Sequence, residues 1–507
     1  MATKQESGIL LRGGTVLAHD EDMHVRPLRA DVLIKGNTIV KISEDLSVPV
    51  GTEVIDCIGK LLCPGFVNGH QHIWQTALKG QHANDTLVPY MPTGNLTSAL
   101  YTLEDAFWGE LSGAMESIDC GTTTVVDHSS LNQGPDYPKT ILRALATSGL
   151  RATYAYCHPR IVTSWNPLKY ADDSTSPWVM DTYEQLFAPC SDLGDNGRVR
   201  PGFAVDAIFG PSEPLQKLYK RIRSAGTAVI TTHSCGGVML HNGPSAAQIL
   251  YQHGLLGPDI LLSHATFPHD GDVELLRKAG AAVCTTPLTE LQMGQPPVAL
   301  EDDYYELASL GVDCHSWGSS FMPGQMRLLL QWARCDRAGR LLKEKGQWSL
   351  GTGVDVEKVF NLGTALGARA IGMGDQVGQI KEGYKADMVI FDTDTPSMCA
   401  AALDDPVAAI VLHSSERDVG TVIVDGVVRK QGGKLLDITA TPAVGRQTTQ
   451  VSGVEEGRKF SWNDVVARLL ESRARIKKEM EGIDWESAVD SMIDLMHCDR
   501  SSLKQDH

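Results

Sequence analysis

Eight stretches of the chain are apolar with little interruption: residues 62–69, 122–128, 151–158, 201–209, 227–233, 259–264, 281–286 and 305–312. Their lengths suit strands, and the scarcity of polar alternation says that both faces of each strand are covered. Between them apolar residues recur at helical spacing over 103–119, 138–148, 213–225 and 244–253, which predicts amphipathic helices. Strand and helix in alternation predict an α/β protein, a parallel sheet wrapped by helices. Eight units predict a closed (β/α)8 barrel over residues 64–376, with chemistry at the C-terminal ends of the strands.

The flanks follow another rule. Short alternating runs fill 8–58 (Gly8-Ile-Leu-Leu-Arg-Gly-Gly-Thr-Val-Leu17; Asp31-Val-Leu-Ile-Lys-Gly-Asn-Thr-Ile-Val40) and return in 377–436, with Gly-Asn and Asp-Gly pairs between them. Such pairs between strands read as hairpin turns. Residues 1–63 and 377–440 are therefore expected to form one composite β-sandwich domain that brackets the barrel. From 441 the chain turns polar and then helical, and 441–507 is expected to be a helical C-terminal extension. Ser461 and Asp464 form a capping-box variant there, and Val465, Val466, Leu469, Leu470, Ile476 and Met480 give it an apolar stripe.

Composition narrows the partners. The 507 residues carry a net charge of -17, which disfavours nucleic-acid phosphates and anionic membranes and leaves a small-molecule substrate. Eleven cysteines without a CxxC pair are expected as free thiols in a reducing compartment. The first residues lack the apolar core of a signal peptide, and no run approaches a membrane span; the expectation is a cytoplasmic protein.

Candidate chemistry gathers where the apolar runs end. His70 and His72 close the first run two residues apart, so in a strand both imidazoles point to one side and can reach one metal ion. Later runs end on His233, His264 and Asp313. Trp74, Gln75 and Trp317 lie near strand ends and are candidate substrate contacts; His315, two residues past Asp313, is another. His128 follows Asp127 and has no spaced partner, so a supporting role suits it better than metal ligation.

Pro64-Gly-Phe-Val-Asn-Gly-His-Gln-His72 with Leu78-Lys-Gly80 resembles the first-strand motif of the amidohydrolase superfamily. More narrowly it is similar to the branch of triazine hydrolases and cytosine, guanine and adenosine-type aminohydrolases. Gly121-Thr-Thr-Thr-Val-Val-Asp-His128 resembles that branch's second strand. Ala365-Leu-Gly-Ala-Arg-Ala-Ile-Gly372 and Gly383-Tyr-Lys-Ala-Asp-Met-Val-Ile-Phe-Asp392 resemble its return to the β-domain. The resemblance implies a TIM-barrel hydrolase of non-peptide carbon–nitrogen bonds, often a dimer or tetramer, with one divalent metal ion, Zn2+ or alternatively Fe2+. It places the metal on His70, His72, His233 and Asp313, makes Asp313 the base that moves the proton of the attacking water, and sets His264 against the substrate.

One departure weighs on the mechanism. The branch continues its fifth-strand histidine as His-x-x-Glu, and that glutamate protonates a ring nitrogen; here the segment is His233-Ser-Cys-Gly236. Glycine transfers no proton, so His264, His315 or Glu290 takes that task, or the substrate does not need it. Glu290 also stands where relatives place Asn. Two other readings stay open beside the hydrolase: a metal-dependent lyase or hydratase on the same barrel, and a non-catalytic metal-binding barrel.

Overall fold

The computed structural model describes residues 8–158, 160–171, 177–187, 197–236, 243–444 and 451–504. Its central sheet is a parallel barrel whose strands appear in the order expected from the apolar runs. They are Phe66–His72, Thr122–Ser129, Arg151–Cys157, Val199–Ala204, Val229–Cys235, Ile260–Thr266, Ala282–Thr285 and an eighth strand in two pieces, Ala308–Leu310 and Asp313–Cys314. The two-piece strand closes the barrel. Ala308–Leu310 pairs with the seventh strand and Asp313–Cys314 with the first. Between the pieces, the Gly311 N–H donates to Thr285 O at 2.8 Å and the Val312 N–H to His70 O at 3.1 Å.

Closure needs the backbones to meet tightly here, and two glycines allow it. A Cβ on Gly69 would lie 2.7 Å from Ser309 Oγ, and one on Gly311 would lie 2.8 Å from His70 O. Val67, Val126, Ala155, Ala204, Val229 and Leu261 of the barrel strands pack with Ile371, Met373 and Val377 in one apolar cluster. Every residue of the first, second, third and sixth strands is buried, which is why their sequences show no alternation.

The two ends of the chain combine in a second, nine-stranded sheet. Leu61–Pro64 pairs antiparallel with Met388–Phe391, joining strands from Gly8–His19 and Val25–Lys35 to Val419–Val424 and Val427–Gln431. The Asp425-Gly426 turn takes positive φ at both residues, 52° and 74°, the type I′ geometry that two-residue hairpins favour. This sheet has its own core around Leu11, Val16, Val32, Ile39, Leu62 and Met388. It is tied to the barrel by buried Arg151, which donates to Asp387 Oδ2 at 2.7 Å and to Asp425 Oδ1 at 2.7 Å.

The C-terminal helix Trp462–Met480 starts at Ser461, whose side chain accepts from the Asp464 N–H while Asp464 accepts from the Ser461 N–H. Val465 packs with Phe107, Trp108 and Phe460, and Arg475 donates to Leu100 O at 2.7 Å and pairs with Asp105. The extension thus lies on Leu103–Asp119, the helix between the first two barrel strands. Among the described residues, no helix is long and apolar enough to cross a membrane.

Candidate metal centre

His70 and His72 sit at the end of the first barrel strand, His233 near the end of the fifth, and Asp313 opens the last piece of the eighth. One ligand atom from each of the four lies within 4.8 Å of all the others. Asp313 Oδ1 is 3.2 Å from His70 Nε2 and 3.3 Å from His72 Nε2. His233 Nε2 lies 3.3 Å from His72 Nε2.

The remaining ring nitrogens settle what those Nε2 atoms carry. His72 Nδ1 donates to His128 O at 2.7 Å, and His233 Nδ1 donates to Asp206 Oδ1 at 3.0 Å. A neutral imidazole has one N–H, so both Nε2 atoms hold lone pairs and face one another. Two lone pairs 3.3 Å apart beside a carboxylate oxygen repel unless a cation sits among them. His70 is set similarly, its Nδ1 2.9 Å from Ser263 Oγ. Three imidazoles and a carboxylate are the donor set of Zn2+ or a similar divalent ion, and outer partners that fix each ring are what such sites use. The residues fit the group.

The histidines differ electrostatically: burial would lower the His72 pKa, but the Asp313 carboxylate raises it above its usual value. Burial drives the pKa of His70 well below its usual value, which keeps it neutral and ligand-competent. Burial alone would raise the Asp313 carboxyl, but His264, His70 and His72 hold it well below the usual range. The Asp206 carboxyl is also held low, against its burial, by His233 and His128.

His264 flanks the centre from the sixth strand. Its Nε2 is 3.9 Å from Asp313 Oδ2, while its Nδ1 lies 2.9 Å from Thr286 Oγ1 and 3.3 Å from Glu290 Oε1. Burial would lower the His264 pKa; the carboxylates of Asp313 and Glu290 raise it instead. Burial raises Glu290. His264, Ala265 and Asp313 all adopt positive φ, 74°, 52° and 67°, a strained conformation for side-chain-bearing residues that concentrates at functional sites. Beside His233, between the ends of the fifth and sixth strands, opens a cavity of about 60 Å³ lined in part by Phe209, Ala265, Phe267 and Tyr304.

Other sequence candidates lie elsewhere. Trp74 is fully buried with its ring edge-on to Tyr101, centroids 5.1 Å apart. His315 also turns from the pocket: its Nδ1 is 2.8 Å from Thr76 Oγ1, and its Nε2 is 3.0 Å from Ser320 Oγ and 3.2 Å from Glu116 Oε1. Gln75 is buried and donates to Tyr90 Oη at 2.6 Å, and half-buried Trp317 stands edge-on to the same tyrosine. Asp206 and Ser263, which orient two of the histidines, had no motif to mark them. Asp206 lies inside the fourth apolar run, two residues past the end of the strand Val199–Ala204.

The sequence profile of the Amidohydrolase family matches residues 61–429. The chain belongs to the amidohydrolase family. This amidohydrolase is 28% identical over 431 residues to a 5-methylthioadenosine/S-adenosylhomocysteine deaminase of Acetivibrio thermocellus, covering 82% of this chain and 88% of that one. It is 24% identical over 481 residues to a 5'-deoxyadenosine deaminase of Methanobrevibacter smithii, covering 90% and 100%. Among solved structures, atrazine chlorohydrolase from Arthrobacter aurescens complexed with zinc shares its fold at a TM-score of 0.73 and 20% identity, over 92% of this chain and 100% of that one. An adenosine deaminase from Xanthomonas campestris with bound zinc does so at 0.72 and 18%, over 93% and 99%. The protein is a metal-dependent hydrolase of non-peptide carbon–nitrogen bonds.

Proposed function

We propose that this amidohydrolase removes the exocyclic amino group of an adenosine-type nucleoside or a closely related amino-heterocycle, releasing ammonia, with zinc held by His70, His72, His233 and Asp313. The observation that carries the reading is the convergence of Nε2 lone pairs and the Asp313 carboxylate on one point, each imidazole oriented from behind. Relatives that align over four-fifths or more of this chain and bear deaminase names support the substrate class. The free thiols among the described residues suit a reducing, cytoplasmic setting.

When bound, a divalent cation there supplies a Lewis acid that makes water nucleophilic near neutral pH. Asp313 takes the proton of the attacking water and returns it to the departing amine. His264 completes the proton path. Held at Nδ1 by Thr286 and Glu290, it presents Nε2 to the pocket and donates to the heteroatom on which negative charge develops.

The pair His264–Glu290 thereby stands in for the glutamate missing at 236. No side chain fits at that position, because a Cβ on Gly236 would lie 2.8 Å from the carbonyl oxygens of both Thr266 and Phe267. The aromatic residues around the cavity beside His233 offer a surface for the apolar part of the substrate.

The test is ammonia release by zinc-loaded protein from 5'-methylthioadenosine, S-adenosylhomocysteine, 5'-deoxyadenosine and adenosine. Glu290→Gln is expected to lower kcat about 100-fold with bound metal unchanged. Full activity in that variant removes Glu290 from the proton path. Turnover without ammonia, by addition or loss of water, would favour the lyase reading that Gly236 keeps open; no ammonia from any amino-heterocycle would overturn the substrate class.

A further inference from the structure

Next to the four-residue centre is a second convergence of metal-binding side chains. His128 and Cys157 lie at the ends of the second and third barrel strands, and Asp206 lies just past the fourth. One ligand atom from each falls within 4.8 Å of the other two. His128 is fully buried, and neither of its ring nitrogens has a hydrogen-bond partner. Its Nε2 points toward Asp206 Oδ2, 3.4 Å away. A buried imidazole whose Nδ1 has no partner and whose Nε2 meets only a carboxylate is costly to leave so, and the position calls for something that binds it.

Asp206 explains why the site is available. Its Oδ1 accepts from the His233 backbone N–H at 3.1 Å and from His233 Nδ1 at 3.0 Å, which leaves Oδ2 turned to His128. Cys157 is a buried free thiol on the same side. The His128 ring lies close to the histidines of the first centre, tilted against His233 with centroids 4.3 Å apart and edge-on to His72 at 5.1 Å.

We propose that His128, Cys157 and Asp206 hold a second divalent cation, adjacent to the first and coupled to it through Asp206. Imidazole, thiolate and carboxylate together select zinc or another late transition metal over Mg2+ and Ca2+, which avoid sulfur. A thiolate and a carboxylate balance the cation's two charges, and the cation makes the thiolate state of a buried cysteine accessible. Three protein ligands leave a position open for solvent or substrate, the arrangement of reactive rather than structural zinc. The three residues come from strands two to four, on the side away from His264 on strand six. The assignment rests on the geometry of these three residues and holds whatever substrate the enzyme takes.

Metal-free full-length protein titrated with Co2+ provides the test, followed by near-ultraviolet absorption and by metal content per chain after desalting. Two ions per chain are expected, with a thiolate-to-cobalt charge-transfer band accompanying only one of them. Cys157→Ser should remove the band and one ion, His128→Gln should do the same, and His70→Ala should lose the other ion while keeping the band. One ion per chain without a thiolate band in the unmodified protein overturns the proposal, even if neither variant folds. A band that survives Cys157→Ser also overturns it, since Cys235 or Cys314 would then be its source. Ammonia release by a protein that holds a single ion would leave the deaminase reading intact while removing this one.

Discussion

Single residues at this site act through what they do to their neighbours' lone pairs. Ser263 Oγ lies 2.9 Å from His70 Nδ1 and holds that ring in place. Ser263→Ala is expected to weaken zinc affinity about 10- to 100-fold, read by competition with a chromophoric chelator, with little change in thermal stability. A second expectation concerns Glu116 behind the site. Burial would raise its carboxyl, but His315 and the Lys79 ammonium hold it down to about 2. A carboxyl whose pKa is lowered on folding stabilises the fold above its unfolded value near 4.5, and that contribution fades as pH falls toward 2. It amounts to at most about 3 kcal/mol. Glu116→Gln should therefore lose stability at neutral pH and show a flatter acid limb than the unmodified protein in denaturant titrations from pH 7 to 3; parallel limbs would refute the assignment. The convergence of Asp313 with His70, His72 and His233 is legible because each stands at the end of an apolar run. His315 leaves the face of Asp313 because two residues along a strand end share a face only while the strand continues, and the Asp313 φ of 67° turns the chain.

At the scale of elements, strand ends are where the backbone departs from regular geometry, and there the sequence speaks least. Nothing in Ile-Leu-Leu-Ser-His264 announces a positive φ at the histidine, yet that turn aims its ring at Asp313. Gly236 belongs to the same region. Gly236→Ala should cost about 1–3 kcal/mol by pushing a methyl into the carbonyls of Thr266 and Phe267, so restoring a glutamate there should harm the enzyme rather than repair it. Unfolding midpoints and ammonia release on Gly236→Ala and Gly236→Glu check both. The ordinary elements were easier to read. The Ser461–Asp464 cap and the Asp425-Gly426 turn follow from local chemistry that tertiary packing does not override, and Ser461→Ala should cost about 1 kcal/mol.

Across the whole molecule, the barrel and the sheet built from both chain ends meet around Arg151. Removing its guanidinium strands the buried carboxylates of Asp387 and Asp425, and Arg151→Ala should destabilise the protein by about 3–5 kcal/mol in chemical denaturation. No local pattern foretells that contact, since its partners are 236 and 274 residues away. The barrel itself was foreseeable because burial of both strand faces writes itself into the sequence as continuous apolar runs. The layout matters for function because closure between the first and eighth strands brings His70, His72 and Asp313 together, while the fifth strand delivers His233 from across the barrel. Anomalous diffraction at the zinc edge from crystals of the zinc-loaded protein tests this most directly. The account predicts a peak within coordination distance of His70, His72, His233 and Asp313 together; full-occupancy zinc found only elsewhere, with that centre bare, would contradict it.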